Sequence, residues 1–482
     1  LLAIDEDESS RLLEPPSTAV LARLTEKGKQ PKLLCDAITV PACGQELLRV
    51  IQEGMTTPLA DGELAAVTLK GLAEAMDGAE TPGVTQLMRS ERFNSTLVFD
   101  ERLTLKTFRS VETEINPDFE IRTFLSARQE SPIVAPVLGY IEFRRVHGPP
   151  VTIAVLNQYI PNQGTAWNLT VNQLSQFYER VAAHAHRRTS ETPSDPDPAI
   201  HDPGAEASLE EIIDGFETNA RKIGVQTAAL HRTLASDPRA ADFRPEPFGR
   251  LYQRSLYQAM RNLTHRVFTR LTRELPRLPE PAKADAAHLL TLREPLLARF
   301  KKIADTPLSG SRIRIHGDYQ LDQLVYAGTD FVVIDFEPDL DDSTGERRVK
   351  RSPLRDVAAM IRSFDYAAHG VLFELEHKEG RAPGLVRHED RAVLEPWVRR
   401  WQSRITRQFV DAYFESLDRP GLLPANRCDC EFLLDLILLE RTLDDIGRDM
   451  AGRPEWTVIP LRALLRMLEP EAHPPSNQAL GV

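Results

Sequence analysis

The chain has 482 residues, room for two or three domains, with 41% hydrophobic and 27% charged residues, an ordinary globular balance. Its formal net charge of −12 sets nucleic-acid binding behind other classes, because such binders carry a basic face. No apolar run approaches the ~18 residues of a membrane span, so a cytoplasmic protein without membrane or nucleic-acid partners is expected. Cys35, Cys43, Cys428 and Cys430 show no metal-ligand spacing and read as reduced thiols.

Residues 1–89 read as a mixed α/β module. VLARLTEKGKQPKLLCDAIT suggests two strands around a polar turn from Glu26 to Lys32, and QELLRVIQEG a short helix. From Phe93 the pattern turns to strands. NSTLVFDERLTLKTF alternates apolar and polar residues on either side of Asp100-Glu101-Arg102, the signature of a hairpin. In NPDFEIRTFLSARQ, Asn116 is placed to cap a helix that starts at Pro117. IVAPVLGYIEFRR and PPVTIAVLNQYI add strands up to Pro161, completing a small sheet-based lobe over 90–161.

After Pro161 the chain reads as helical to its end, 162–482. A Pro-, Asp- and Ser-rich stretch, TSETPSDPDPAIHDPGAEA, suggests a solvated loop, and Ser208-Leu209-Glu210-Glu211 a capping box opening the next helix. Further helices are expected at Leu251–Glu274, Asp285–Lys302, Leu354–Tyr366, Pro396–Leu417 and Cys430–Asp449.

One segment, 312–340, breaks the helical pattern. In RIHGDYQLDQLVYAGTDFVVIDFEPDL, the runs QLVY and FVVIDFE form strands joined at Ala327-Gly328-Thr329-Asp330. The hairpin brings Asp318, Gln323 and Asp335 to one end, three oxygen-bearing side chains suited to a hard cation such as Mg²⁺. Asp335 is the one charge in an apolar run, a costly placement unless it has a function. His-x-Asp, an amide five residues on, and a later Asp-Phe repeat the catalytic and metal segments of the protein-kinase architecture. That chemistry also needs a phosphate-anchoring lysine on an upstream strand and a carboxylate on a helix to fix it. Lys106 and Glu120 stand in that order. No glycine lies between Thr85 and Lys106, so the turn Asn94-Ser95-Thr96 is expected to cover the phosphates.

These motifs, with ERRVKRSPLRDVAAMIRSFDYAA, YQRSLYQAMRNL and RPEWTVIPLRALL, together resemble maltokinase, a bacterial sugar-kinase family of aminoglycoside-phosphotransferase-like fold. The resemblance implies an α+β, two-lobed protein-kinase-like fold, with residues 1–89 as an N-terminal cap module. It implies transfer of the ATP γ-phosphate to the anomeric hydroxyl of maltose. Carried over by position, Asp318 is the catalytic base, Gln323 and Asp335 are Mg²⁺ ligands, and Lys106 with Glu120 is the nucleotide-phosphate pair. Gln158 and Tyr159 end the strand expected to receive the adenine. The family writes HGDYHLGQ and EKALYELRYELNNRP where this chain has HGDYQLDQ and ERTLDDIGRDMAGRP, which directs attention to Gln320, Arg441, Asp444 and the nearby Trp456 as acceptor-binding positions. The start at Leu1 fits a piece cut from behind a fused trehalose synthase. Two alternatives stand beside maltose phosphorylation: a kinase for another sugar such as glucosamine, and a catalytically silent partner module of a trehalose synthase.

Overall fold

The computed structural model describes residues 2–5, 20–25, 30–76, 84–90, 94–110, 115–128, 133–190, 203–280, 282–336, 348–377, 380–381 and 386–469. The chain divides into two units, Leu1–Pro161 and Asn162–Val482.

The first unit holds β1 (Leu2–Asp5), β2 (Val20–Leu24), β3 (Lys32–Cys35), α1 (Pro41–Gln52), β4 (Thr56–Leu59), β5 (Gly62–Thr68) and a short α2 (Leu72–Ala75). Then come β6 (Val84–Ser90), β7 (Asn94–Phe99), β8 (Leu103–Phe108), α3 (Pro117–Ser126), β9 (Val137–Arg145) and β10 (Val151–Gln158). β1, β3 and β2 form a three-stranded antiparallel sheet. The expected strand pair β2–β3 is present, although most of its polar turn lies outside the described residues.

The larger sheet has seven strands in the order β4-β5-β9-β10-β8-β7-β6. The boundary expected at residue 89/90 falls at the last residues of β6, which pairs with β7 in this one sheet. Alternation along β7 and β8 sends Leu97, Phe99, Leu103 and Leu105 into the core, against Leu48 and Ile51 of α1. α1 lies so close that a Cβ at Gly139 would stand 2.5 Å from Ile51 Cγ2, so only glycine fits there. The β7–β8 hairpin turns through Asp100, Glu101 and Arg102 between the paired Phe99 and Leu103. Asp100 and Glu101 are both in the left-handed region (φ 46° and 53°), and the Arg102 N–H donates to the Phe99 carbonyl at 2.9 Å.

The second unit is mainly helical. Its long elements are α4 (Ala166–Ser190), α5 (Pro203–Leu234), α6 (Arg250–Glu274), α7 (Ala282–Thr291), α8 (Arg293–Asp305), α9 (Leu354–Phe373), α10 (Arg391–Ser416), α11 (Arg427–Gly452) and α12 (Val458–Leu468). Two points correct the sequence reading. α5 begins at Pro203, so the Ser208 box lies inside a helix that Pro203 opens at a position where a missing N–H is harmless. The helix expected over Asp285–Lys302 is broken at Leu292, because Pro295 fits only the first turn of a new helix. Residues 191–202 of the expected loop lie outside the described residues.

α9 is buried along nearly its whole length and packs against α11, α10 and α4. Short β11 (Glu246–Pro247) pairs with β12 (Ser311–Arg312), and β13 (Leu324–Tyr326) with β14 (Phe331–Val333). No helix among the described residues is long and apolar enough to cross a membrane.

Candidate active site

In the second unit, the segment with the His-Gly-Asp motif is held from below by α9. Ile313 exchanges backbone hydrogen bonds with Arg351, and the chain then turns at Gly317 in the left-handed region (φ 93°). Asp356 Oδ2 accepts the His316 N–H at 2.9 Å, and its Oδ1 accepts the Gly317 N–H at 3.0 Å. Two turns along α9, Ser363 Oγ accepts the Leu321 N–H at 3.0 Å. One helix face therefore clamps both ends of the turn that carries Asp318.

Asp356 is itself fixed from behind. His231 Nε2 lies 2.9 Å from Asp356 Oδ2, and His231 Nδ1 lies 3.0 Å from the Tyr413 hydroxyl. Burial disfavours the charge on Asp356, yet these hydrogen bonds and the nearby imidazoles hold its carboxyl below the usual carboxylate range. Tyr319, fully buried, takes a hydrogen bond from Thr227 at 3.0 Å and pins the far side of the turn.

The β13–β14 hairpin places Gln323 and Asp335 together. Leu324 pairs with Val333, and the Ile334 N–H donates to the Gln323 carbonyl at 3.0 Å, so the two side chains leave the same hairpin end. Both are half-buried. An amide and a carboxylate form a hard oxygen set that fits Mg²⁺, which keeps water and phosphate oxygens in its shell. Among the described residues no three His, Cys, Asp or Glu side chains gather into a closed cage.

Asp318 is half-buried at the rim of a cavity of about 310 Å³ between α4, α9 and α11. Gln320 and Arg441, which line that cavity, both reach Asp318 Oδ1; the Arg441 Nη2 contact is 3.4 Å. Arg362, Tyr366, Asp445 and Asp449 line it further in. Arg362 donates from Nε to Asp445 Oδ2 at 3.0 Å and from Nη1 to Asp365. Asp449 accepts from Arg453 Nε at 2.7 Å and from the Tyr366 hydroxyl; burial pushes its carboxyl up to about 6.

Two of the four acceptor-binding positions named from the motif thus line the cavity, and two do not. Asp444 lies outside the lining and pairs with Arg448 at 2.9 Å, while its neighbour Asp445 takes the inward place. Trp456 is 1% exposed and stacks on Tyr366 at 5.8 Å against Gly370, where a Cβ would sit 2.9 Å from the indole. It is a core anchor.

In the first unit, Lys106 Nζ meets Asp118 Oδ2 at 3.0 Å; the expected partner was Glu120. Helix geometry explains the correction. Asp118, Ile121, Arg122 and Leu125 form the buried face of α3, whereas Glu120 lies about 200° round from Asp118 and is half-exposed. Burial opposes the charge on Asp118, but Arg122, donating at 2.7 Å, and Lys106 hold its carboxyl far below the usual range. Asn116 caps α3 by accepting the Phe119 N–H at 3.1 Å, as its sequence position requires.

Asn94, Ser95 and Thr96 form no turn. They begin β7, opposite Phe108, Thr107 and Lys106 of β8, and Ser95 and Thr96 also pair with Ser90 and Arg89 of β6. Gln158 closes β10, and the N–H groups of Gln158 and Tyr159 donate to Pro136 and Arg102 carbonyls at 2.9 and 2.8 Å.

No protein-family model matches the chain. Among curated proteins, a glucosamine kinase of Streptacidiphilus jiangxiensis is 25% identical over 253 residues, 52% of this chain and 49% of that protein. The matched stretch thus spans about half the relative's length. A solved glucosamine kinase superposes with TM-score 0.60 at 16% identity, covering 95% of this chain and 96% of the other. A glucosamine kinase in complex with glucosamine, ADP and inorganic phosphate gives TM-score 0.60 at 17% identity, covering 92% and 87%. The fold is that of the solved glucosamine kinases. The expected α+β protein-kinase-like class, with a sheet-based amino-terminal part and a helical carboxyl-terminal part, is the one observed.

Sequence reading passed over Asp118, Asp356, Asp445 and Asp449. The last two sit at helical spacing from Arg441, so a face containing 441, 445, 448, 449 and 452 was visible as a period; its direction was not.

Proposed function

We propose that the chain is an ATP-dependent sugar kinase. The observation that carries this reading is Asp318, held on a doubly clamped turn at the mouth of a polar cavity, with Gln323 and Asp335 on the adjoining hairpin.

In this reading a sugar hydroxyl in the cavity donates its proton to Asp318 as its oxygen bonds to the γ-phosphorus. The bond from that phosphorus to the ADP oxygen breaks, leaving ADP and a sugar phosphate. Gln323 and Asp335 would hold Mg²⁺, which when bound neutralises phosphate charge. Lys106, oriented by Asp118, supplies a fixed positive charge for the phosphates. Asn94, Ser95 and Thr96 contribute at most the strand beside Lys106, while Gln158 and Tyr159, at the end of β10, are the positions proposed to receive the adenine. Positioning and preorganised charge lower the barrier, as is general for phosphoryl transfer.

Two acceptors lead. Glucosamine is favoured by the named relatives; maltose is favoured by the motif resemblance. ADP release measured with ATP, Mg²⁺ and a panel of neutral and amino sugars tests the proposal. Sugar-dependent release well above the sugar-free rate is expected. Release that no sugar accelerates overturns it.

A further inference from the structure

The cavity face of α11 carries a charge pattern that the proposed chemistry does not itself require. Asp445 is 8% exposed, and its Oδ2 is taken by Arg362 Nε at 3.0 Å. Its Oδ1 accepts no hydrogen bond among the described residues. Instead it lies between two guanidiniums of its own helix, Arg441 Nε at 3.9 Å and Arg448 Nη2 at 3.8 Å. Both distances exceed hydrogen-bond range, and all three residues line the cavity.

We infer that the Arg441–Asp445–Arg448 cluster recognises an uncharged hydroxyl of the acceptor sugar, with Asp445 Oδ1 as the acceptor and a flanking guanidinium as the donor. This rests on the sugar-kinase reading and adds a substrate class to it. A hydroxyl has one donor and two acceptor lone pairs, so one group satisfies a carboxylate and an arginine together. An ammonium has three donors and no acceptor; beside Asp445 it would face Arg362, Arg441 and Arg448 with nothing to accept from them. An anion would find the arginines but leave Asp445 Oδ1 buried against like charge. The other carboxylates around the cavity are already engaged: Asp449 by Arg453 and Tyr366, Asp365 by Arg362 and Gln402, and Asp444 by Arg448. At the α11 face, therefore, the acceptor presents a neutral hydroxyl and keeps any amino group elsewhere.

The experiment uses the full chain with glucose, maltose and glucosamine, and with deoxy and amino analogues of whichever sugar binds, read by calorimetry and by ADP release. At one ring position, removing the hydroxyl or replacing it with an amine should weaken binding to the wild type about ten- to a hundredfold, the usual loss for a hydrogen bond to a charged group. In Asp445→Asn the parent sugar should show a similar rise in KM with kcat and ATP affinity little changed, and the deoxy analogue should lose nothing further. The analogue series on the wild type stands alone if the variant fails to fold. Preference for the amine at every position, or a deoxy penalty that survives intact in Asp445→Asn, overturns the assignment while leaving the kinase reading in place. Sugar binding that follows this pattern without ADP release supports the cluster and refutes the kinase. A wild type that neither binds nor phosphorylates sugar overturns both.

Discussion

Asp356 holds His316 by a backbone hydrogen bond of 2.9 Å, in the residue pair just before the proposed base. The same carboxylate takes the Gly317 N–H and the His231 ring, so a single buried side chain fixes the turn from inside. Asp356→Asn cannot accept all three. It is expected to cost about 2–4 kcal/mol in urea unfolding, because a buried donor is left without an acceptor. Turnover should fall further than stability alone explains. A variant as stable and active as the wild type would show that the clamp is dispensable.

The Lys106–Asp118 pair makes a second expectation, and it separates two neighbouring acids. Asp118 is fully buried between Lys106 and Arg122, so Asp118→Asn leaves two cations poorly compensated and should destabilise by about 3–5 kcal/mol. Nucleotide affinity should drop with it. Glu120→Gln, on the half-exposed flank of α3, should change stability by less than about 0.5 kcal/mol and leave nucleotide binding unaltered. The reverse ranking would restore Glu120 as the partner.

A third expectation concerns pH. On α11, burial pushes the Asp435 carboxyl up to about 6, aided by Glu431 and opposed by Arg299. A raised carboxyl favours folding below the unfolded value of 3.8, and that contribution is lost as pH rises through about 6. Asp435→Asn does not titrate. It should match the wild type near pH 4 and become more stable, by about 1–3 kcal/mol, by pH 7.5. Paired urea titrations at the two pH values check this; a difference independent of pH contradicts it.

What was legible in the sequence was local. The β13–β14 hairpin, the Asn116 cap and the Asp100-Glu101 turn each depend on neighbouring residues, and each forms where the spacing puts it. What was not legible needed a second element. Asp118 displaces Glu120 because the sheet decides which face of α3 is buried. Asn94 to Thr96 join a strand because β6 and β8 flank them. The cavity draws side chains from α9 and α11, some 80 residues apart in the chain, so its lining emerges only when those helices pack. Trp456 looked available beside an altered motif but is consumed by packing on Tyr366.

The central claim is that Asp318 takes the proton of a sugar hydroxyl, and one variant addresses it directly. Asp318→Asn is nearly isosteric and removes only the basic carboxylate. With the sugar that supports turnover in the wild type, phosphate transfer should fall about 10²–10⁴-fold while unfolding and ATP·Mg²⁺ affinity stay unchanged. Transfer within a few-fold of the wild type, in a variant that folds and binds ATP normally, contradicts the account.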